Sequence, residues 1–226
     1  MEADQDQSER AYQAIRRDIA TGLLEPGQPL VEADIGQRAG VSRTPVRQAL
    51  RRLEREGVVH IEKRRSARLR SVSAEQMSDL YEFRAHLEAF NCRLAARRAD
   101  DEDRAELRRL ADDYEVAVRE DSSEDLARVR KLNEALHRRI AAAAHNPYVS
   151  IALDTAIENP LMLRAQRRPN AKALGQSAFF HQLIVRAVCD GEEERAARLV
   201  IEHVLQARDR LVANYELARE TARSCP

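Results

Sequence analysis

Between residues 74 and 220 the chain meets only three prolines and two glycines. These are the residues that interrupt helices most sharply. What lies between them is mostly Ala, Leu, Arg and Glu, which lose little on becoming helical. Such a stretch can hardly fold as anything but a set of helices. Apolar side chains at three- and four-residue steps predict them over about 74–98, 102–119, 123–144, 147–157, 160–168, 176–190 and 192–219. The breaks fall at Asp100, Ser122, the HNP at 145–147, the NP at 159–160, the run from Pro169 to Gly175, and a tight turn at Asp190-Gly191. The expectation for residues 73–226 is an all-α bundle of six or seven helices.

The first 72 residues have a different texture. SERAYQAIRRDIAT, at 8–21, reads as a helix with Ala11, Ile15 and Ile19 on one face. GLLEPGQPL breaks it. A short helix over 32–39 is ended by Gly40, and another runs from about Arg43 to Glu56. Ser42 or Thr44 can cap that second helix, Pro45 fits its first turn, and Gly57 stops it. VVHIEKRRSARLRSV then reads as a two-stranded basic hairpin.

Charge is concentrated in this segment. The whole chain carries 38 basic and 38 acidic residues, yet Arg38 to Arg70 holds eleven basic side chains against three acids. In the second helix, Val46, Ala49, Leu50 and Leu53 form an apolar stripe, while Arg43, Arg47, Arg51 and Arg55 recur every four residues on another side. Two short helices joined at a glycine, the second with one face to bury and a cationic face to offer, describe a helix-turn-helix that can enter the major groove of DNA. Ser42, at the helix start, sits where a cap and the helix dipole engage phosphate. The competing reading is a merely solvated basic face, but the turn before it and the basic hairpin after it favour DNA.

Composition narrows the remaining classes. No window approaches the roughly 18 apolar residues needed to span a bilayer. MEADQDQSER lacks the basic start and apolar run of a secretory signal. Three cysteines, far apart and odd in number, argue against a disulfide framework and fit a reducing cytoplasm. H-E-x-x-H, G-x-S-x-G and P-loop motifs are all missing.

YQAIRRDIATGLLEPGQPL, then VSRTPVRQALRRLEREGVV, then the basic turn, resemble the winged helix-turn-helix of the GntR transcription regulators over about residues 9–70. The resemblance implies operator contacts by Arg43, Thr44 and Arg47, with Arg51 on the same face, and a wing that brings Lys63 and Arg64 to the minor groove. Two positions depart from the family pattern: Ala33 replaces a usual basic residue, and Ser66 stands where the wing usually has glycine.

Three histidines lie inside amphipathic helices: His137, His181 and His203. Asn133 is four residues before His137, on the same helix face. His181 and His203 lie on the two helices that reverse at Asp190-Gly191, at distances from the turn that agree within one helical turn. Spacing alone leaves two readings open: three unrelated core histidines, or three imidazoles converging on a divalent metal.

YEFRAHLEAF, LNEALHRRIAAAAHNPYV and FFHQLIVRAVCDGEEERAARLVIEHV are similar to the FCD domain, the all-helical effector domain of FadR-type GntR regulators, over most of 74–215. That resemblance implies a metal held by Asn133, His137, His181 and His203, with zinc first and nickel or manganese as alternatives. Asn133 departs from the aspartate many members have there, and an amide oxygen brings no negative charge. The family also implies a small carboxylate effector near the metal. Arg84, in the FR-x-x-LE signature, is the candidate anion partner because guanidinium binds carboxylate bidentately. Its other reading is a salt bridge to Glu88.

The expectation is a homodimeric, cytoplasmic, ligand-responsive DNA-binding regulator, acting as a repressor on a semi-palindromic operator, and not an enzyme. The alternatives are a metal-dependent hydrolase with an accessory basic domain, and a dimerisation module with an empty core site.

Overall fold

The computed structural model describes residues 2–61, 67–120, 126–149, 152–153 and 171–224. The chain divides into two compact units, one built on Met1–Ser73 and the other on Ala74–Ile157 with Arg168–Pro226.

In the first unit, α1 (Glu2–Thr21), α2 (Glu32–Ala39) and α3 (Arg43–Arg55) pack with three short strands, β1 (Pro29–Leu30), β2 (Val59–Ile61) and β3 (Ala67–Leu69). The first helix begins six residues before the sequence pattern places it. The expected two-stranded pairing is present as β2 against β3, and a further strand extends it into a three-stranded antiparallel sheet in the order β1-β3-β2. The third strand is the Pro29-Leu30 pair, which pattern alone assigned to a break. Proline is tolerated there because β1 is an edge strand.

The turn between α2 and α3 is tight for reasons visible in two glycines. Gly40 caps α2 in the left-handed region, with φ +66°, where a side chain is costly. Gly36 lies so close to the following turn that a Cβ would meet the Val41 carbonyl oxygen at 2.8 Å. Ser42 is the N-cap of α3, as expected, but its side chain makes no capping hydrogen bond. Beyond Glu56, the Gly57 N–H donates to the Glu54 carbonyl and the Val58 N–H to the Leu53 carbonyl. This doubly bonded stop is sealed by buried Leu53 and Val58. The core gathers Ile15 and Ile19 of α1, Ile35 of α2, Val46, Leu50 and Leu53 of α3, and Val59 and Leu69 of the sheet.

The second unit contains five long helices among the described residues: α4 (Ala74–Arg98), α5 (Asp101–Arg119), α6 (Leu126–Ala143), α7 (Ala171–Cys189) and α8 (Glu193–Ser224). The expected helices over 147–157 and 160–168 fall largely outside the described residues. Gly175, read as part of a break, lies inside α7, which begins five residues earlier than the pattern indicates. A capping box starts α5, with Asp100 accepting from the Asp103 N–H and Asp103 from the Asp100 N–H. Arg93 pairs with Glu194 and Arg97 with Glu193, while Arg208 reaches Glu82. These ion pairs at the two ends set α4 and α8 antiparallel. Arg98 donates to the Ala144 and His145 carbonyls, tying the end of α4 to the end of α6.

Candidate functional site

The helix-turn-helix presents one face built as the sequence implies. Pro45, Val46, Ala49, Leu50 and Leu53 are buried, and Ser42, Arg43, Thr44, Arg47, Arg51 and Arg55 are exposed. A cleft of about 420 Å³ runs beside this face, lined by Arg43, Arg47, Arg51, Glu32 and Ala33 among others. Arg47 donates from Nε to both oxygens of Glu32 at 2.9 Å, which leaves its two terminal nitrogens for another partner. The fifth arginine of this segment behaves differently. Arg52 stacks 3.7 Å from the centre of the Tyr12 ring and pairs with Glu9 and Glu56. It fastens α3 to α1 and is absent from the cationic face. Lys63 and Arg64 lie outside the described residues.

In the second unit the three histidines do converge. His137 on α6, His181 on α7 and His203 on α8 are all buried. Ring centroids are 5.4 Å apart for His137–His181, 5.5 Å for His137–His203 and 4.7 Å for His181–His203. One ring nitrogen from each lies within 4.8 Å of the others. Tyr114 of α5 meets His181 edge-on at 4.5 Å, and Phe180 lies 5.9 Å from His203.

The polar contacts around this cluster are one-sided. His137 Nδ1 is 2.5 Å from Glu88 Oε2, and Arg84 donates from Nε to Glu88 Oε1, also at 2.5 Å. Burial alone would raise the Glu88 pKa, but the Arg84 charge and the His137 ring outweigh it and hold the carboxyl well below its ordinary range. Ionised Glu88 can only accept, so His137 Nδ1 carries the proton that faces it, which leaves Nε2 as the ring nitrogen turned to the cluster. That Nε2, and both ring nitrogens of His181, have no hydrogen-bond partner. Burial pushes the His181 and His203 pKa values well below normal, with the neighbouring imidazoles adding to the effect. A divalent metal requires buried imidazole nitrogens that nothing else occupies; His137 and His181 offer such nitrogens and His203 lies beside them, so the residues present fit such an ion. Asn133 is half-buried one turn before His137 on α6.

Arg84 occupies the second of its two expected roles, an i,i+4 ion pair with Glu88, and is itself 8% exposed. Glu88 as the residue that orients His137 was not anticipated. The sequence signal for it was only its spacing from Arg84, because contact with His137 depends on how α4 meets α6. A second mixed cluster, Asp100, Asp103 and His145, is accounted for within the fold: Asp103 already accepts from Arg139, His145 and the Asp100 N–H.

A helix-turn-helix with an exposed arginine ridge, carried in one chain with a helical bundle around a buried polar centre, defines a DNA-binding regulator with a second, all-helical unit. Comparison with known proteins agrees. Residues 7–69 match the family model described as bacterial regulatory proteins, gntR family, and residues 79–206 match the FCD domain. The chain belongs to the GntR family of transcriptional regulators, among those that carry an FCD domain. It is 29% identical over 189 residues to the Nta operon transcriptional regulator of Aminobacter aminovorans, covering 84% of this chain and 87% of that one. It is 26% identical over 201 residues to the HTH-type transcriptional repressor GlaR of Escherichia coli K12, covering 86% and 90%. With the uncharacterized HTH-type regulator YdhC of Bacillus subtilis it shares 28% identity over 143 residues, or 63% of each chain. Escherichia coli McbR/YncC has the same fold, with a TM-score of 0.76 at 20% identity over 92% of this chain and 98% of that one. These relatives and neighbours are transcriptional regulators and not enzymes, so the hydrolase alternative is not retained. No described helix is long and apolar enough to cross a membrane.

Proposed function

We propose that the chain is a metal-dependent, ligand-responsive repressor. Residues 1–72 bind one half of a semi-palindromic operator, and residues 73–226 hold a divalent metal and a small organic acid. The observation that carries this reading is the buried histidine triplet, in which one ring nitrogen of each lies within 4.8 Å of the others and those of His181, with His137 Nε2, have no partner. His137, His181 and His203 are the ligands, with Asn133 as the fourth, and zinc is the leading ion ahead of nickel or manganese. The metal supplies positive charge that attracts a carboxylate. Glu88 fixes the His137 tautomer, and Arg84, paired with Glu88, is the anion-side group. Ser42, Arg43, Thr44, Arg47 and Arg51 contact the operator, with Lys63 and Arg64 on the wing. GlaR, a relative over most of its length, is named a repressor, which supports repression over activation.

A homodimer follows from the two-fold operator and has a surface to form on. Leu80, Phe83, Leu87 and Phe90 recur along α4 at alternating three- and four-residue steps, the spacing of a coiled-coil seam. Phe83 and Phe90 remain 56% and 45% exposed. Effector binding changes DNA affinity only through different affinities for two arrangements of the dimer.

The test is metal analysis of protein purified without a histidine tag, followed by binding to duplexes selected from a random library, with and without a panel of organic acids. About one metal per chain, lost in His181→Ala, together with selection of a semi-palindrome and release by an acid, supports the proposal. Metal-free protein that still selects its duplex removes the metal from the reading. A footprint on one asymmetric half-site removes the dimeric operator.

A further inference from the structure

One buried group of the second unit has no role in the reading above. Asn91 on α4 is 1% exposed, and neither its Oδ1 nor its Nδ2 has a hydrogen-bond partner. Burying an amide with both ends unpaired is costly, and buried polar side chains are almost always partnered.

Its place in the fold says what could pair with it. Arg84, Glu88 and Asn91 stand at i, i+4 and i+7 on one face of α4, and all three are buried. Glu88 touches His137, so this face looks toward the histidine cluster. Asn91 is three residues further on, a rise of roughly 4.5 Å. The ion pairs Arg93–Glu194 and Arg208–Glu82 hold α4 antiparallel to α8 and bracket both Asn91 and His203. Asn91 therefore sits about one turn along the bundle from the triplet.

The chemistry of these groups divides the work. Arg84 and Glu88 offset each other's charge, so the metal supplies most of the attraction for a carboxylate, with Arg84 as the hydrogen-bonding group on the anion side. Asn91 is uncharged, and it offers one acceptor and two donors. A plain carboxylate could satisfy Nδ2 but would leave Oδ1 unpaired. A hydroxyl both donates and accepts, and so can satisfy either end of the amide.

We propose that Asn91 is a ligand-recognition residue of the histidine site, and that the ligand is a small hydroxy acid: its carboxylate is drawn to the histidine-held metal and a hydroxyl pairs with the Asn91 amide. This rests on the metal reading given above and adds the class of ligand to it. The Asn91 amide selects for hydroxylated acids over their deoxy counterparts, because only the former leave no buried polar atom unpaired.

The test uses full-length, tag-free, zinc-loaded protein: wild type, Asn91→Leu, which keeps nearly the same volume without the amide, and Asn91→Ala as a second variant that cannot overpack. Three measurements are made: zinc content, Tm without added acid, and calorimetric affinity for matched probes, L- and D-malate and tartrate against succinate, and lactate against propionate. The proposal expects unchanged zinc in Asn91→Leu and a Tm at least about 2 °C above wild type, since an unpaired amide has been removed. It expects wild type to favour at least one hydroxy acid over its deoxy partner by roughly tenfold, and the ratio to collapse toward one in both variants. A lower Tm in both variants would mean that Asn91 hydrogen-bonds within the fold, through buried water for example, and overturns the proposal. Loss of zinc in Asn91→Leu makes it a metal ligand and overturns it too. Wild type that binds zinc but none of the hydroxy acids at 10 times a millimolar affinity threshold (about 10 mM), or shows no preference for them, overturns the ligand class alone. Wild type that takes up no zinc removes the underlying metal reading, and the metal measurement tells that failure apart from the others.

Discussion

The Arg84–Glu88–His137 chain allows a sharp test of what holds the second unit together. Arg84 and Glu88 are 8% and 3% exposed, and each oxygen of Glu88 takes one short hydrogen bond, from Arg84 on one side and His137 on the other. Replacing Glu88 with Ala strips the buried guanidinium of its counter-charge and His137 of its acceptor. Losing one partner of a buried pair costs about 3–5 kcal/mol, which for a protein of this size is a Tm loss of roughly 6–20 °C. Removing both charges in Arg84→Met/Glu88→Leu is expected to return most of that stability, because the penalty comes from the stranded charge and not from a large net value of the pair. The assay is a double-mutant cycle by thermal and urea unfolding followed by circular dichroism. The milder Glu88→Gln separates stability from site chemistry. It keeps the shape but frees the His137 tautomer, and metal affinity measured by competition with a chelating dye should fall 10- to 100-fold. A Glu88→Ala loss below about 1 kcal/mol, or a double variant as unstable as the two single losses added together, would refute the account of this chain of contacts.

Four further outcomes follow from the same structure. On a duplex selected from a random library, Arg47→Ala should weaken specific binding more than Arg55→Ala, and wild-type affinity should fall steeply with salt; equal losses in a fluorescence-anisotropy titration would remove Arg47 from base contact. Gly36→Ala should destabilise the first unit by about 1–3 kcal/mol in urea unfolding, since the added carbon meets a backbone oxygen at 2.8 Å. Burial raises the Asp103 pKa, but the Asp100 N–H, His145 and Arg139 lower it further, for a net depression. A depressed folded pKa gives stability that is present above the unfolded carboxyl's value of about 3.9 and is lost as pH falls through the folded one. Wild type should therefore lose more stability than Asp103→Asn between pH 6 and pH 3, as read by urea midpoints. Phe83→Glu combined with Phe90→Glu should yield monomers in light scattering; unchanged dimers would clear that face of α4.

What the sequence reveals and what it hides follow from the range of the interactions. The α3 ridge is legible because helical period alone separates Val46, Ala49, Leu50 and Leu53 from Arg43, Arg47, Arg51 and Arg55, and the observed burial follows that division. Convergence of His181 with His203 is legible because both helices hang from one turn, so residue counting sets their level. Arg52 illustrates the limit. Its charge groups it with the other arginines, but its position on the helix turns it inward to Tyr12 and Glu9, and only the packing of α1 reveals that. The strand at Pro29-Leu30 was hidden for a related reason: two residues carry no period, and β1 exists because β3 offers it a partner.

The same distinction explains why the buried histidines are easier to read than the polar groups around them. A histidine is noticed wherever it stands. Glu88 and Asn91 are ordinary residues on α4, and they acquire meaning only from the register of that helix against α6 and α8, which is set by contacts such as Arg98 with the end of α6 and Arg93 with Glu194. Energetically this arrangement is unfavourable until something binds. His137 Nε2, both nitrogens of His181 and both polar atoms of Asn91 are buried without partners, and each such group subtracts from stability. A ligand that satisfies them returns that free energy on binding, and the unit it stabilises is the one that binds it. Metal loading should therefore raise the unfolding midpoint of wild type far more than that of His181→Ala. Equal shifts in the two proteins would mean that these nitrogens are not where the ion goes.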